Sequence, residues 1–212
     1  STASPGDYVM LRNEDDSVSC IVGNLDLPSR TFWSVEVNLP VDKAFFRTRS
    51  RWSNPTPFRQ SYYTWMTAAL PTADDLEYIA PGRFQIGHDY AQALDAWPVD
   101  GRGRDLSKYR NNAFGPSKSY FTVGELADAS GAYYREADRG FGHWARYDDM
   151  PGRKIWIWDL SRAGAIWEGL LTDADGQYTE PQYGRLFNQS DHDFLTPGRT
   201  DRWSELWFPY GR

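Results

Sequence analysis

Phe141–Tyr183 reads FGHWARYDDMPGRKIWIWDLSRAGAIWEGLLTDADGQYTEPQY, and its punctuation decides the fold class. Asp148-Asp149-Met150-Pro151-Gly152 and Asp173-Ala174-Asp175-Gly176 are strong turn signals. Proline presets φ, glycine accepts positive φ, and aspartate bonds its own backbone. Around these turns the spacing predicts strands over Phe141–Asp148, Arg153–Leu160 and Gln177–Tyr183. In the last of them the two-residue period puts Tyr178, Glu180 and Gln182 on one face, so that a ring, a carboxylate and an amide stand together.

Outward from this stretch, strand periodicity continues. In Thr31–Leu39, Trp33, Val35, Val37 and Leu39 oppose Ser34, Glu36 and Asn38, the pattern of a half-buried strand. Lys43–Trp52 sets Phe46, Thr48, Ser50 and Trp52 against Phe45, Arg47, Arg49 and Arg51, and the short Pro40-Val41 link suits a hairpin. The turn Ser53–Pro57 precedes a predicted strand over Arg59–Leu70; others fall at Leu76–Ala80, Arg83–Ile86, Ser119–Gly124 and Asp201–Phe208. No long 3.6-residue period and no internal repeat appears. The expected fold is all-β, an antiparallel two-layered sandwich spanning 1–212 as one domain. Gly87–Lys118, rich in Gly, Asp, Arg and Asn, is expected to be a long irregular insertion folded over one sandwich face, with one short helix at Asp89–Trp97.

Composition narrows the function classes. A net charge of −6 without a basic run argues against nucleic acid as a partner. No stretch reaches the roughly 18–20 apolar residues needed to cross a membrane as a helix. The lone Cys20 excludes an intrachain disulfide and a cysteine-based metal site. No zinc, phosphate-loop or nucleophile-elbow spacing is present, so neither metal nor cofactor is expected. Sequence does not fix the compartment, with a periplasmic or secreted one favoured. Aromatic residues make up 16%, including ten Trp, more than one core readily hides. They suit β-strands, and some can also stack against the C–H faces of a pyranose.

The stretch 141–184 resembles a bacterial family often fused to tetratricopeptide repeats. The matching positions are His143, Ala145, Pro151, Gly152, Lys154, Trp156 and Trp158, then Leu171, Thr172, Asp173, Asp175, Gly176, Tyr178, Glu180 and Gly184. Ser53–Pro57 and the closing Glu205–Pro209 also fit. That family is built on the galactose-mutarotase-like, or aldose-epimerase-like, supersandwich. The resemblance implies that this chain corresponds to roughly the C-terminal two-thirds of a complete supersandwich. The missing N-terminal part, or a second chain, is then an expected partner.

The resemblance also implies roles. Aldose epimerases carry a catalytic base in a strand reading Glu-Thr-Gln, and Glu180-Pro181-Gln182 stands in the equivalent context. Glu180 is therefore the first catalytic candidate, as acid or base. His143 is the second, as a proton donor. Family members carry further histidines where this chain has Tyr147 and Asp148, so no paired-histidine or metal role is expected. Epimerases also place an Asn-His pair in a central strand; Ser61–Trp65 here has no histidine, which argues against straightforward mutarotase activity.

Candidate carbohydrate-binding residues are Trp65, Tyr63 and Trp158 as stacking platforms, with Tyr178 and Gln182 beside Glu180. The loop residues Tyr109, Arg110 and Asn112 add an aromatic, a fork donor and an amide. Three readings result, all with carbohydrate as the ligand except the last. The first is a carbohydrate-active enzyme resembling a glycoside hydrolase, with a second acid from Asp148, Asp149, Asp173 or a preceding segment. The second is a non-catalytic carbohydrate-binding or accessory sandwich, and the third a structural or interaction domain.

Overall fold

A computed structural model describes residues 5–88, 94–115, 117–158, 160 and 164–211. The first eight strands are β1 (Asp7–Arg12), β2 (Val18–Asp26), β3 (Thr31–Leu39), β4 (Phe46–Ser53), β5 (Gln60–Tyr62), β6 (Trp65–Thr67), β7 (Leu70–Pro71) and β8 (Leu76–Ile79). Then come β9 (Phe84–Ile86), β10 (Asp95–Ala96), β11 (Lys118–Val123), β12 (Ala129–Tyr134), β13 (Arg139–Trp144) and β14 (Gly152–Ile157). A helix α1 (Ala165–Leu171) precedes β15 (Tyr178–Gly184), β16 (Asp193–Leu195) and β17 (Thr200–Tyr210). The larger sheet runs β1-β2-β3-β4-β17-β13-β12-β8, and the smaller runs β10-β9-β11-β14-β15-β6 with β7 also on β15. A ribbon of β16 and β5 stands apart, and every pairing is antiparallel.

Two buried clusters join the sheets. Leu76, Tyr78, Ala132 and Tyr134 of the larger sheet meet Tyr120, Ile155 and Ile157 of the smaller, with Trp97, Leu106 and Tyr109 completing the cluster. Tyr183 and Met66 meet Trp203, Trp207 and Trp52 in the second. The predicted insertion thus departs from expectation. Residues 97–109 push aromatic side chains between the sheets instead of lying over one face. Of the short helix expected at Asp89–Trp97, residues 89–93 lie outside the described residues, and Asp95–Ala96 form β10.

The alternation of Thr31–Leu39 holds, but at its C-terminal end burial is inverted, with Val37 and Leu39 exposed and Asn38 buried. Register puts Val35 with Ser50 and Trp203, and Val37 with Thr48 and Glu205, on the inner face of the larger sheet. Among the described residues, no strand of the smaller sheet lies over β1–β3. Tyr8, Met10, Val18, Val37 and Leu39 are consequently exposed. On the other face Asn38 is buried instead, because its amide donates to Ser17 and Ser19 hydroxyls. The predicted strand at Arg59–Leu70 is broken into β5, β6 and β7, which serve two different sheets.

Candidate functional site

β14 and β15 pair with Lys154 opposite Gln182 and Trp156 opposite Glu180. Directly opposed residues share a sheet face, so register alone builds a platform on the face of the smaller sheet turned away from the core. One row runs Thr67, Gln182, Lys154, Phe121 and Ile86; the next runs Glu180, Trp156 and Ser119. Tyr178 and Trp158 follow, their rings 6.0 Å apart. The intervening residues Thr179, Tyr183, Ile155 and Ile157 point the other way and are buried.

Trp65 closes one end of the platform. It stands opposite Gly184 in the register and meets Phe121 edge-on at 5.4 Å. A Cβ on Gly184 would lie 2.6 Å from the Trp65 ring, so the indole lies flat on the backbone only because no side chain is there. Tyr63 stands 6.5 Å from Trp65 and is exposed. At the other end Trp158 touches Trp156 at 5.2 Å and Trp167 of α1 at 5.0 Å. A groove of about 570 Å³ opens beside Glu180, walled by Thr67, Leu70, Pro71, Tyr178, Leu171 and Asp175 among others. A volume of this order suits a small ligand.

The polar groups are held from behind. Gln182 Nε2 donates to Glu180 Oε2 at 2.8 Å. Lys154 Nζ lies 5.2 Å from both the Phe121 and Trp156 ring centres and donates to Gln189 Oε1 at 2.9 Å. Burial lowers the Lys154 ammonium to about 8, and the Glu180 carboxylate opposes that shift. Arg185 anchors the start of the loop that carries Gln189 through an ion pair with Asp201 at 2.8 Å and a bond to the Asp149 carbonyl. Burial, then Glu180, raises the Tyr178 phenol. His88 meets Trp156 edge-on at 5.4 Å. Among the described residues the buried Ser119 hydroxyl and Trp156 indole N–H have no hydrogen-bond partner.

Of the expected site residues, Glu180, Tyr178, Gln182, Trp158, Trp65 and Tyr63 are therefore brought to one surface. Four are not. His143 is fully buried between the sheets, stacked 3.4 Å from Tyr183 and hydrogen-bonded to Glu205 at 2.8 Å. It faces away from Glu180, and burial drives its imidazole down to about 2. It is a packing residue here, not a proton donor for a bound ligand. Asn112 is buried, giving its amide to the carbonyls of Leu106, Lys108 and Tyr109 and accepting from Tyr120. Tyr109 is buried in the core cluster, and Arg110 is exposed beside it. This trio fastens a loop.

Lys154, Trp156, Phe121 and Gln189 were not anticipated as site residues. The signal for two of them is plain in hindsight: Lys154, Trp156 and Trp158 obey the same two-residue period as Tyr178, Glu180 and Gln182. Among carboxylates, Asp175 lines the groove with Glu180, whereas the expected partner acids Asp148, Asp149 and Asp173 do not.

Residues 1–210 match the model of a domain of unknown function, DUF5107. The chain belongs to this family. Its fold is similar to that of a TPR-domain containing protein from Parabacteroides distasonis, at 25% identity and a TM-score of 0.82, covering 97% of this chain and 34% of that one. It also resembles a putative aldose 1-epimerase from Escherichia coli, at 9% identity and a TM-score of 0.68, over 97% of this chain and 69% of that one. A galactose mutarotase-like protein from Lactobacillus casei aligns at 9% identity and a TM-score of 0.64, over 96% and 73%. No curated protein matches. The galactose-mutarotase-like sandwich expected for the family is thus its fold. The chain spans about a third of the first of these relatives and roughly two-thirds or more of the other two.

Proposed function

We propose that the outer face of the smaller sheet binds carbohydrate and that Glu180 performs acid–base chemistry at the anomeric centre. The observation that carries this reading is a braced carboxylate, Glu180 with Gln182, that opens on a groove walled by Tyr178, with the Trp156 and Trp158 rings beside it on the same sheet face. Rings receive the apolar faces of a sugar, and amide and carboxylate receive its hydroxyls. A hydrolytic form of the reaction would use Asp175 as second carboxylate, since it lines the same groove.

The test is a tryptophan-fluorescence titration of wild type and Glu180→Gln with a panel of free aldoses and aryl glycosides. Polarimetry and aglycone release are followed in parallel. Binding by both proteins with turnover only by the wild type supports the assignment. Binding by both without turnover by either makes the domain a sugar-binding module, and no binding by either removes the reading.

A further inference from the structure

On the far side of the sandwich from Glu180, the outer face of the larger sheet carries a row of arginines. Register puts Arg47, Arg49 and Arg51 of β4 on the face opposite the buried Thr48 and Ser50, and Arg202 of β17 directly across from Arg51. In the row of Arg47 the same face continues with Leu206 of β17 and then Trp144 of β13. We propose that this face binds a linear polysaccharide with one carboxylate per sugar, a polyuronate, at a site independent of Glu180.

Charge is the first argument. In a chain of net charge −6, four guanidinium groups on adjoining positions of one face reverse the sign locally. Glu36 pairs with Arg49 at 2.9 Å and accepts from the Ser19 hydroxyl on its other oxygen. Arg51 gives one bond to the Ser53 hydroxyl. Arg47 and Arg202 have no side-chain hydrogen bond or ion pair among the described residues. Their planar forks match carboxylates bidentately. Glu14 and Asp15 line a polar groove of about 570 Å³ with Arg47 and Arg49, so the positive surplus lies towards Arg51 and Arg202. The acid in that row, Asp7, is three strands away on β1.

Spacing is the second argument. Alternate residues of a strand stand about 6.8 Å apart, so the three β4 arginines repeat at roughly the length of one sugar. Duplex phosphates, at one charge per ~1.7 Å, are several times denser. Access is the third. β4 and β17 lie inside the sheet with both edges paired, so a peptide cannot dock here by adding a strand. A flat face of side chains suits a polymer that makes its contacts through its substituents. Trp144, 36% exposed, offers an open ring in the row of Arg47, on which a pyranose can lay its C–H face.

The experiment is binding of the intact chain to polygalacturonate, by affinity electrophoresis and calorimetry at low and high salt. Neutral amylose, poly-L-glutamate and poly(U) are the comparison polymers. The double variant Arg47→Gln with Arg202→Gln removes two charges that hold nothing in the fold, and its melting midpoint should equal that of wild type. Arg47→Lys with Arg202→Lys keeps the charge and loses the fork. Wild type should retain polygalacturonate above the other three polymers, more weakly as salt rises. The glutamine pair should weaken binding about tenfold or more, the lysine pair less, and Trp144→Ala several-fold. No binding of polygalacturonate, or binding unchanged in the glutamine pair, overturns the proposal. Tighter binding of poly-L-glutamate or poly(U) overturns it in favour of an acidic protein segment or a nucleic acid. Glu180→Gln should bind polygalacturonate as wild type does; a loss there would move the polymer to the smaller sheet and overturn the assignment to this face.

Discussion

Gln182 reaches back along its own strand and donates to Glu180 at 2.8 Å, two residues away. Both side chains leave the same face of β15, so the strand itself supplies the brace. A hydrogen bond to a charged group contributes about 1.5–3 kcal/mol. Gln182→Met keeps the length and removes the donor. It is expected to lower turnover roughly ten- to a hundredfold and the thermal midpoint by several degrees, as measured by polarimetry beside a melting curve.

The buried His143–Glu205 pair makes stability depend on pH in a defined way. Burial holds the imidazole near 2 against an ordinary 6.5, and the carboxyl near 8 against 4.5. The pair is therefore neutral in the fold, a protonated carboxyl donating to an unprotonated ring nitrogen. Between pH 2 and 6.5 the unfolded histidine binds more protons than the folded one, so its contribution to stability is lost as pH falls. Between 4.5 and 8 the folded glutamic acid binds more protons than the unfolded one, so its contribution is lost as pH rises. The two slopes oppose each other between 4.5 and 6.5, leaving a plateau with a fall on either side. Glu205→Gln should abolish the alkaline fall of about 2 kcal/mol between pH 6.5 and 8. Urea midpoints across that range would reveal it.

Two glycines under Trp65 should respond unequally to alanine. At Gly184 the new methyl meets the indole at 2.6 Å, and the ring can tilt away. At Gly152 it meets the Leu186 carbonyl oxygen at 1.8 Å, and backbone must move. Overpacking costs about 1–3 kcal/mol. Gly152→Ala is expected at or above the top of that range and Gly184→Ala nearer the bottom. Gly184→Ala should also shift tryptophan emission, readable in the same denaturation series.

Asn112 and Arg110 should separate structure from binding within one loop. Asn112→Ala removes the amide that bonds the Leu106, Lys108 and Tyr109 carbonyls and the acceptor of the Tyr120 hydroxyl, and should cost about 2–4 kcal/mol. Arg110→Ala should change stability by less than about 0.5 kcal/mol. Neither should alter sugar affinity in protein that remains folded, as titration would show.

Much of the architecture was legible because the two-residue period of a strand is written in its own side chains. Thr31–Leu39 matches β3 to the residue, and the Tyr178–Glu180–Gln182 face follows from period alone. β1 and β2 gave no clean alternation, because neither of their faces is fully covered. β12 reads ASGAYY, a run of small residues that hides its strand character. The smallness has a cause: a Cβ on Gly131 would lie 2.1 Å from the Phe141 carbonyl. Helix α1 is seven residues long, too short for a 3.6-residue period to register. His143 was misplaced because a residue type and a resemblance say nothing about which face of a strand points inward. The partner row of aromatic residues around Lys154 needed the register of β14 on β15, which no single strand contains.

The larger sheet overhangs the smaller, so β1–β3 are held like a cantilever, by ladder bonds to β4 more than by packing beneath them. Backbone opening free energies should therefore form a gradient along the sheet, smallest in β1, where all six residues are exposed, and rising towards β17. Amide protons of β1 would exchange first and those of β2 and β3 after them, while the β14–β15 ladder under Glu180 and Lys154 stays closed. The free edge can unzip and re-form many times without a tremor reaching the face that carries Glu180.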